Sequence, residues 1–108
     1  MYAVVSHNAS RDRIVIFHRG TPSLETMQDA VGGYIERAES FDLPDPLLQA
    51  DVFCNEEGLL MDLPYMYHTQ YGAPVVGPLV IAGSDREGNT VRLNMSDIQD
   101  VLARMGII

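Results

Sequence analysis

Short segments rich in β-branched and aromatic residues recur along the chain, separated by clusters of small polar residues, glycine and proline. "YAVVS" and "RIVIFH" are two such segments, and "HNASRD" between them is typical of a hairpin turn. The unbroken apolar run "LVIAG" indicates a strand buried on both faces. The pattern predicts strands near residues 2–6, 13–18, 34–38, 51–54, 76–83 and 90–93.

Apolar residues at helical spacing predict a first helix near residues 22–31. Thr21 is expected to cap its first turn, and Pro22 can occupy the first helical position without losing a hydrogen bond. Gly32 or Gly33 can take the left-handed conformation that ends a helix. One face then carries three apolar side chains, Leu24, Met27 and Val31.

A second helix is predicted near residues 96–105. Ser96 and Gln99 have the spacing of a reciprocal capping box, and Gly106 supplies the stop. Four apolar residues recur at helical spacing and form a stripe along one side of this helix, which is typical of a helix that packs on a core. Its members are Ile98, Val101, Leu102 and Met105.

These elements predict an α+β fold, a small mostly antiparallel sheet with two main helices, in a single domain covering residues 1–108. In "LPDPLLQA", Asp45 is expected to cap a single helical turn that begins at Pro46. An open sheet of few strands leaves its edges unpaired, so we also expect that two copies can pair as a homodimer.

The chain has a formal net charge of -8, and its seven basic residues are all arginine. Only Arg11, Arg13 and Arg19 lie close together in sequence. An acidic surface repels phosphate backbones, so we expect no direct binding to nucleic acid. The absence of a signal-like start and of a long apolar run predicts a cytoplasmic protein that does not enter membranes, and a single cysteine agrees with a reducing compartment.

Cys54 raises the question of thiol chemistry, because an amide and two carboxylates, Asn55, Glu56 and Glu57, follow it. Adjacent negative charge raises the pKa of a thiol and disfavours a nucleophile. Strand alternation places Cys54 on the same face as Val52, which predicts a small buried hydrophobic side chain followed by a reversing turn over residues 55–58.

No other motif indicates catalysis. His7, His18 and His68 lack the short spacings of zinc ligands, and the chain has no phosphate-binding loop, dinucleotide fingerprint or hydrolase elbow. We therefore predict no catalytic residues, no metal, no cofactor and no enzymatic activity.

The segment "LPYMYHTQYGAP", residues 63–74, concentrates aromatic side chains. If it is extended, Tyr65, Tyr67 and Tyr71 share one face, whereas a helix would stack only Tyr67 and Tyr71. Tyrosine is favoured at protein interfaces, so these residues, together with His68, are candidate partner contacts.

Four segments in order, "VGGYIE", "CNEEGLLMDLP", "YGAPVVGPLVIAG" and "SDIQDVLARM", resemble the bacterial and phage family of domains of unknown function numbered three-eight-four-six. The resemblance implies a small α+β domain associated with phages and mobile elements, and it carries no established activity. The matching positions are Gly32, Gly33, Tyr34, Glu36, Asn55, Glu56, Gly58, Leu63, Pro64, Gly72, Ala82 and Gly83. If family members share a ligand, Tyr34, Glu36, Asn55 and Glu56 are the first residues to test.

Three functions follow as hypotheses. The first is a non-enzymatic accessory protein that binds and modulates a host protein, with binding lost in Tyr67→Ala or Tyr71→Ala. The second is a binder of a nucleotide signal or another small molecule that acts against host defence. The third is an antirestriction protein whose carboxylates mimic DNA.

Overall fold

The computed structural model describes all 108 residues and has the predicted α+β fold. Its helices are α1, Leu24–Val31, and α2, Met95–Arg104. Its strands are β1 Tyr2–His7, β2 Arg13–His18, β3 Ile35–Asp42, β4 Leu48–Asn55, β5 Tyr65–His68, β6 Pro74–Val76, β7 Leu79–Asp85 and β8 Thr90–Val91.

Six strands form one antiparallel sheet in the order β2-β1-β7-β4-β3, with β8 paired to the end of β7. β5 and β6 form a separate two-stranded sheet. The predicted opening hairpin is confirmed, because β1 and β2 pair over their whole length. In its turn, Asn8 Oδ1 accepts a hydrogen bond of 2.9 Å from the Asp12 amide. β7, predicted as a buried strand, lies in the middle of the sheet.

The main sheet has an apolar layer on each face, because alternate side chains of a strand point in opposite directions. Leu79 and Ile81 pack with α2 and the small sheet, which together form the larger core. Val80 and Ala82 pack with Met27 and Val31 of α1 on the opposite face. We call these the α2 face and the α1 face.

The first helix begins later than predicted. Its N-cap is Ser23, whose Oγ accepts a hydrogen bond from the Thr26 amide, so the expected cap at Thr21 is wrong. Leu24 is exposed, because contact with the sheet begins only at Met27. Gly32 ends the helix in the predicted left-handed conformation, with φ of 79°.

The second helix keeps its predicted apolar stripe but not its predicted cap. Asn94 is the N-cap, and its Oδ1 accepts hydrogen bonds from the Asp97 amide and the Ser96 hydroxyl. The Ser96 hydroxyl is thereby engaged, so the box with Gln99 does not form. All four stripe residues are buried. Neither helix has the length and apolar character needed to cross a membrane.

Several strand boundaries differ from the prediction. β3 and β4 are longer than 34–38 and 51–54, because residues 44–47 form a reverse turn and not a helical turn. In that turn Asp45 Oδ1 accepts from the Leu47 amide. The predicted strand 76–83 is divided between β6 and β7 at Gly77, which has φ of 77°. β8 ends before residue 93, because Leu93 exchanges two backbone hydrogen bonds with Met1.

Candidate functional site

A cleft of about 210 Å³ opens between the start of β3, the end of β4 and the strand β6. Three predicted site residues, Glu36, Asn55 and Glu56, contribute to its lining together with Cys54. Pockets for drug-sized ligands are larger, roughly 300 to 1,000 Å³. The cleft therefore has room for one side chain or a very small molecule.

Cys54 is buried, as predicted, and points to the α2 face with Val52. Its nearest carboxylate belongs to Glu36, directly opposite in the β3–β4 pair, with 3.9 Å between Sγ and Oε1. Burial first, and the Glu36 charge second, raise the pKa of the thiol to about 11. The prediction of a raised pKa is confirmed, but its assigned cause, Glu56 and Glu57, is wrong.

Asn55 holds the end of β4 against the end of α1. Its Nδ2 donates to the Val31 carbonyl at 3.1 Å, and its Oδ1 accepts from the Glu57 amide at 2.8 Å. The predicted turn over residues 55–58 is confirmed, since the Gly58 amide also donates to the Asn55 carbonyl. The buried Asn55 side chain has its hydrogen-bonding capacity engaged by the fold and acts as a structural residue.

Tyr67 is a core residue, and the prediction that it shares a face with Tyr65 and Tyr71 is wrong. A register irregularity between Tyr65 and Tyr67 breaks the alternation of β5. The Tyr67 hydroxyl donates to Glu39 Oε2 at 2.5 Å, and Glu39 Oε1 accepts from the Gln70 amide. Burial, followed by the hydrogen bond to Glu39, raises the pKa of Tyr67.

The other predicted aromatic contacts are exposed but are not gathered in one place. Tyr65 and His68 lie side by side on β5, with 2.6 Å between the tyrosine hydroxyl and the histidine Nδ1. Tyr71 is at the tip of the turn that joins β5 to β6. The ends of that turn, Thr69 and Ala73, line the cleft. Tyr34 borders a different groove, at the end of α1.

Sequence reasoning missed an exposed apolar loop beside the cleft. Leu59, Leu60 and Met61 follow the 55–58 turn and are 68%, 88% and 50% exposed. Leu59 also lines the cleft. The signal in the sequence was three consecutive large apolar residues outside any predicted strand or helix. Leu59, Leu60, Met61 and Tyr71 are the exposed apolar residues of the two turns that border the cleft, and we call them the apolar rim.

The cleft presents charge and apolar surface together. Glu36 and Glu56 supply carboxylates, whereas Leu59, Val75 and Val76 supply apolar surface. Arg37 also lines the cleft and is the one cation there, with its guanidinium 3.9 Å from the Asp51 carboxylate. Nowhere in the chain do three or more His, Cys, Asp or Glu side chains come together in a group that could hold a metal ion. Two carboxylates beside aliphatic surface suit an arginine or lysine side chain, whose stem is apolar and whose end is cationic.

This fold and cleft define a small α+β domain with one helix on each face of an antiparallel sheet. The family described as Domain of unknown function (DUF3846) matches residues 4–106, and the chain belongs to this family. The resemblance seen in the sequence is thus confirmed. No curated protein and no solved structure matches the chain significantly.

Several of the matching family positions have structural explanations. A Cβ on Gly33 would lie 3.0 Å from Asn55 Nδ2, so this glycine makes room for the buried amide. A Cβ on Gly83 would lie 2.5 Å from Leu93 Cδ2, which requires a glycine in β7. A Cβ on Gly77 would lie 2.7 Å from Leu63 Cδ1, so the Leu63 side chain occupies the space beside this glycine. Glu36, Glu56 and Tyr34 remain exposed and free for other roles.

Proposed function

We propose that the protein is a non-enzymatic accessory protein of a phage or mobile element that binds and modulates a host protein in the bacterial cytoplasm. The binding surface is the apolar rim with the cleft beside it. Partner recognition combines burial of the rim with insertion of a basic side chain between Glu36 and Glu56.

The observation that carries this proposal is the exposed position of Leu59, Leu60 and Met61 on an ordered loop. The Met61 amide donates to the Glu57 carbonyl at 2.9 Å, and the Leu63 amide donates to the Gly58 carbonyl at 3.1 Å. These bonds hold the apolar side chains toward solvent instead of letting them fold back onto the core. Contiguous apolar surface of this kind is typical of a protein-binding site.

The two alternatives have less support. A nucleotide in the cleft would place its phosphates beside Glu36 and Glu56, in a space smaller than most ligand pockets. A larger groove of about 460 Å³ at the other end of β4 offers one cation, Arg86, beside the two acids Asp42 and Asp85. Mimicry of DNA needs carboxylates along one face. Exposed acids occur both on α1, at Glu25 and Asp29, and on α2, at Asp100, and these helices lie on opposite faces of the sheet.

Replacing Leu60 by Asp is expected to abolish partner binding, because a charge at the centre of an apolar contact must be desolvated without a matching charge. Immobilised protein is incubated with lysate of the bacterium that carries the gene, and retained proteins are quantified by mass spectrometry. We expect one protein to be retained by the wild type and to fall at least about 10-fold with Leu60→Asp.

Leu47→Asp is the matched control. Leu47 is also an exposed leucine in a turn, but it lies at the other end of β3 and β4, about 25 Å away at the rise of an eight-residue strand. Tyr71→Ala tests the rim independently, whereas Tyr67→Ala is unsuitable because Tyr67 is buried. Equal retention by wild type and Leu60→Asp, or no retained protein at all, would contradict the proposal.

A further inference from the structure

The outer edge of β2 has backbone groups without partners. Met1 exchanges hydrogen bonds with Leu93 on the β7–β8 side of β1. Because the backbone groups of successive residues in a strand point to opposite sides, the odd-numbered residues of β1 direct theirs away from β2. In the β1–β2 register these odd residues lie opposite Arg13, Val15 and Phe17. The amides and carbonyls of Arg13, Val15 and Phe17 therefore point outward, in the arrangement that accepts another strand.

The opposite edge of the sheet, β3, is closed. A register shift between Arg37 and Glu39 interrupts its regular pairing geometry. Two of its carbonyls are occupied by side chains: Gln70 Nε2 donates to Ser40 O, and Arg104 Nη1 donates to Asp42 O. Strand addition is thus available at β2 and blocked at β3, so an assembly through β2 stops at two copies.

The α1 face of β2 is uncovered at Ile14 and Ile16. α1 packs on β7, β4 and β3, its apolar cluster reaches the hairpin only at Tyr2 and Val4 of β1, and the His18 ring stacks on Tyr2. Ile14 and Ile16 point to this face and are 38% and 51% exposed. An edge strand with exposed β-branched residues is an association site unless something covers it.

We propose that a second copy of this chain pairs antiparallel with β2 around a two-fold axis through Val15. A two-fold axis perpendicular to the sheet keeps the α1 faces of both copies on the same side. Residues opposite each other are then either both odd-numbered or both even-numbered. Pairing Val15 with Val15 uses all the outward groups of β2. It places Ile14 of one copy opposite Ile16 of the second copy and joins the two α1 faces into one surface.

Basic residues are concentrated at this edge of an otherwise acidic chain. Residues 11–19 contain three arginines and a single acid, Asp12, in a protein of net charge -8. The proposed register places the Asp12 carboxylate opposite the His18 imidazole of the second copy. It also places Arg11 opposite Arg19 of the second copy, just beyond the paired residues, where both exposed side chains are long enough to turn away from each other into solvent.

Disulfide trapping tests the register. Ile14 and Ile16 form a pair without mutual backbone hydrogen bonds, whose Cα atoms are about 4.5 Å apart, within reach of a disulfide. Mixing Ile14→Cys protein with Ile16→Cys protein under mild oxidation is expected to give a crosslinked dimer. Each variant alone gives at most about a tenth as much, because identical positions are two residues out of register. The wild-type protein is the negative control and should give no crosslinked dimer, because its single cysteine, Cys54, is buried.

Light scattering with size-exclusion chromatography tests the association itself. An interface of one strand pair and two isoleucine contacts is small, so we expect the weight-average mass of the wild type to rise about 1.5-fold between about 5 and 500 μM, from mostly monomer to mostly dimer. Ile16→Lys should remain monomeric over that range, and Leu24→Lys, an exposed α1 position, should behave as wild type. A wild-type monomer at every concentration, a dimer unaffected by Ile16→Lys, or crosslinking equal in single variants and mixture would overturn the proposal.

Discussion

Tyr67→Ala is expected to lower the free energy of unfolding by about 4 kcal/mol, which is a large fraction of the stability of a domain of this size. Tyr67 is 2% exposed and belongs to the larger core, so truncation leaves a cavity among side chains that cannot close over it. Tyr71→Ala removes the same group from an exposed turn and should change stability by less than about 0.5 kcal/mol.

The hydroxyl of Tyr67 has an effect separable from the ring. Tyr67→Phe leaves the buried Glu39 carboxylate with one protein donor, the Gln70 amide, and should cost about 2 kcal/mol. Glu39→Gln keeps an acceptor for the Gln70 amide and presents an Nε2 that can donate to the tyrosine hydroxyl, so it should cost less. Urea denaturation followed by far-UV circular dichroism measures all four variants. Equal stability of Tyr67→Ala and Tyr71→Ala would contradict a core position for Tyr67.

Asn55→Ala is expected to lower the free energy of unfolding by about 3 kcal/mol, because it leaves the Val31 carbonyl and the Glu57 amide without partners. Asn55→Asp should destabilise at least as much. It keeps the acceptor for the Glu57 amide but turns a carboxylate toward the Val31 carbonyl. Glu56→Gln, at the neighbouring exposed position, is the control and should be neutral.

The same urea titrations distinguish two roles for Asn55. A residue that holds the fold destabilises the isolated protein when it is replaced. A residue whose role is to bind a ligand leaves the isolated protein unchanged in stability. If Asn55→Ala has the same free energy of unfolding as the wild type, Asn55 is again a candidate binding residue.

Local features were predictable from the sequence. The apolar stripe of α2, the glycine that ends α1 and the turn after Cys54 each depend on residues within a few positions of one another. The burial of Cys54 follows from strand alternation with Val52. Such features need no knowledge of which strands are neighbours.

Features that depend on distant residues were not predictable. The carboxylate beside Cys54 is Glu36, 18 positions earlier in the chain, and only the pairing of β3 with β4 brings it there. The register irregularity in β5 that buries Tyr67 has no recognisable signature in the neighbouring residues of the sequence. Both N-caps lie two residues from the predicted position, because serine, threonine and asparagine compete closely for that role.

The polar residues beside the cleft therefore divide into two groups. Cys54, Asn55 and the Glu39–Tyr67 pair lie inside the protein and connect its strands and helices. Glu36, Glu56 and the apolar rim are exposed and available to a partner. We expect the first group to maintain the structure and to take no part in chemistry.

Alkylation of Cys54 by iodoacetamide, followed by intact mass at a series of pH values, tests this claim most directly. A thiol with a raised pKa has less thiolate than a free cysteine at neutral pH, and burial restricts access further. At pH 7 the folded protein should react at least about 100-fold more slowly than protein unfolded in urea, and its rate should keep rising toward pH 11. Reaction of the folded protein as fast as the unfolded protein at pH 7, with a rate that levels off below pH 8, would contradict it.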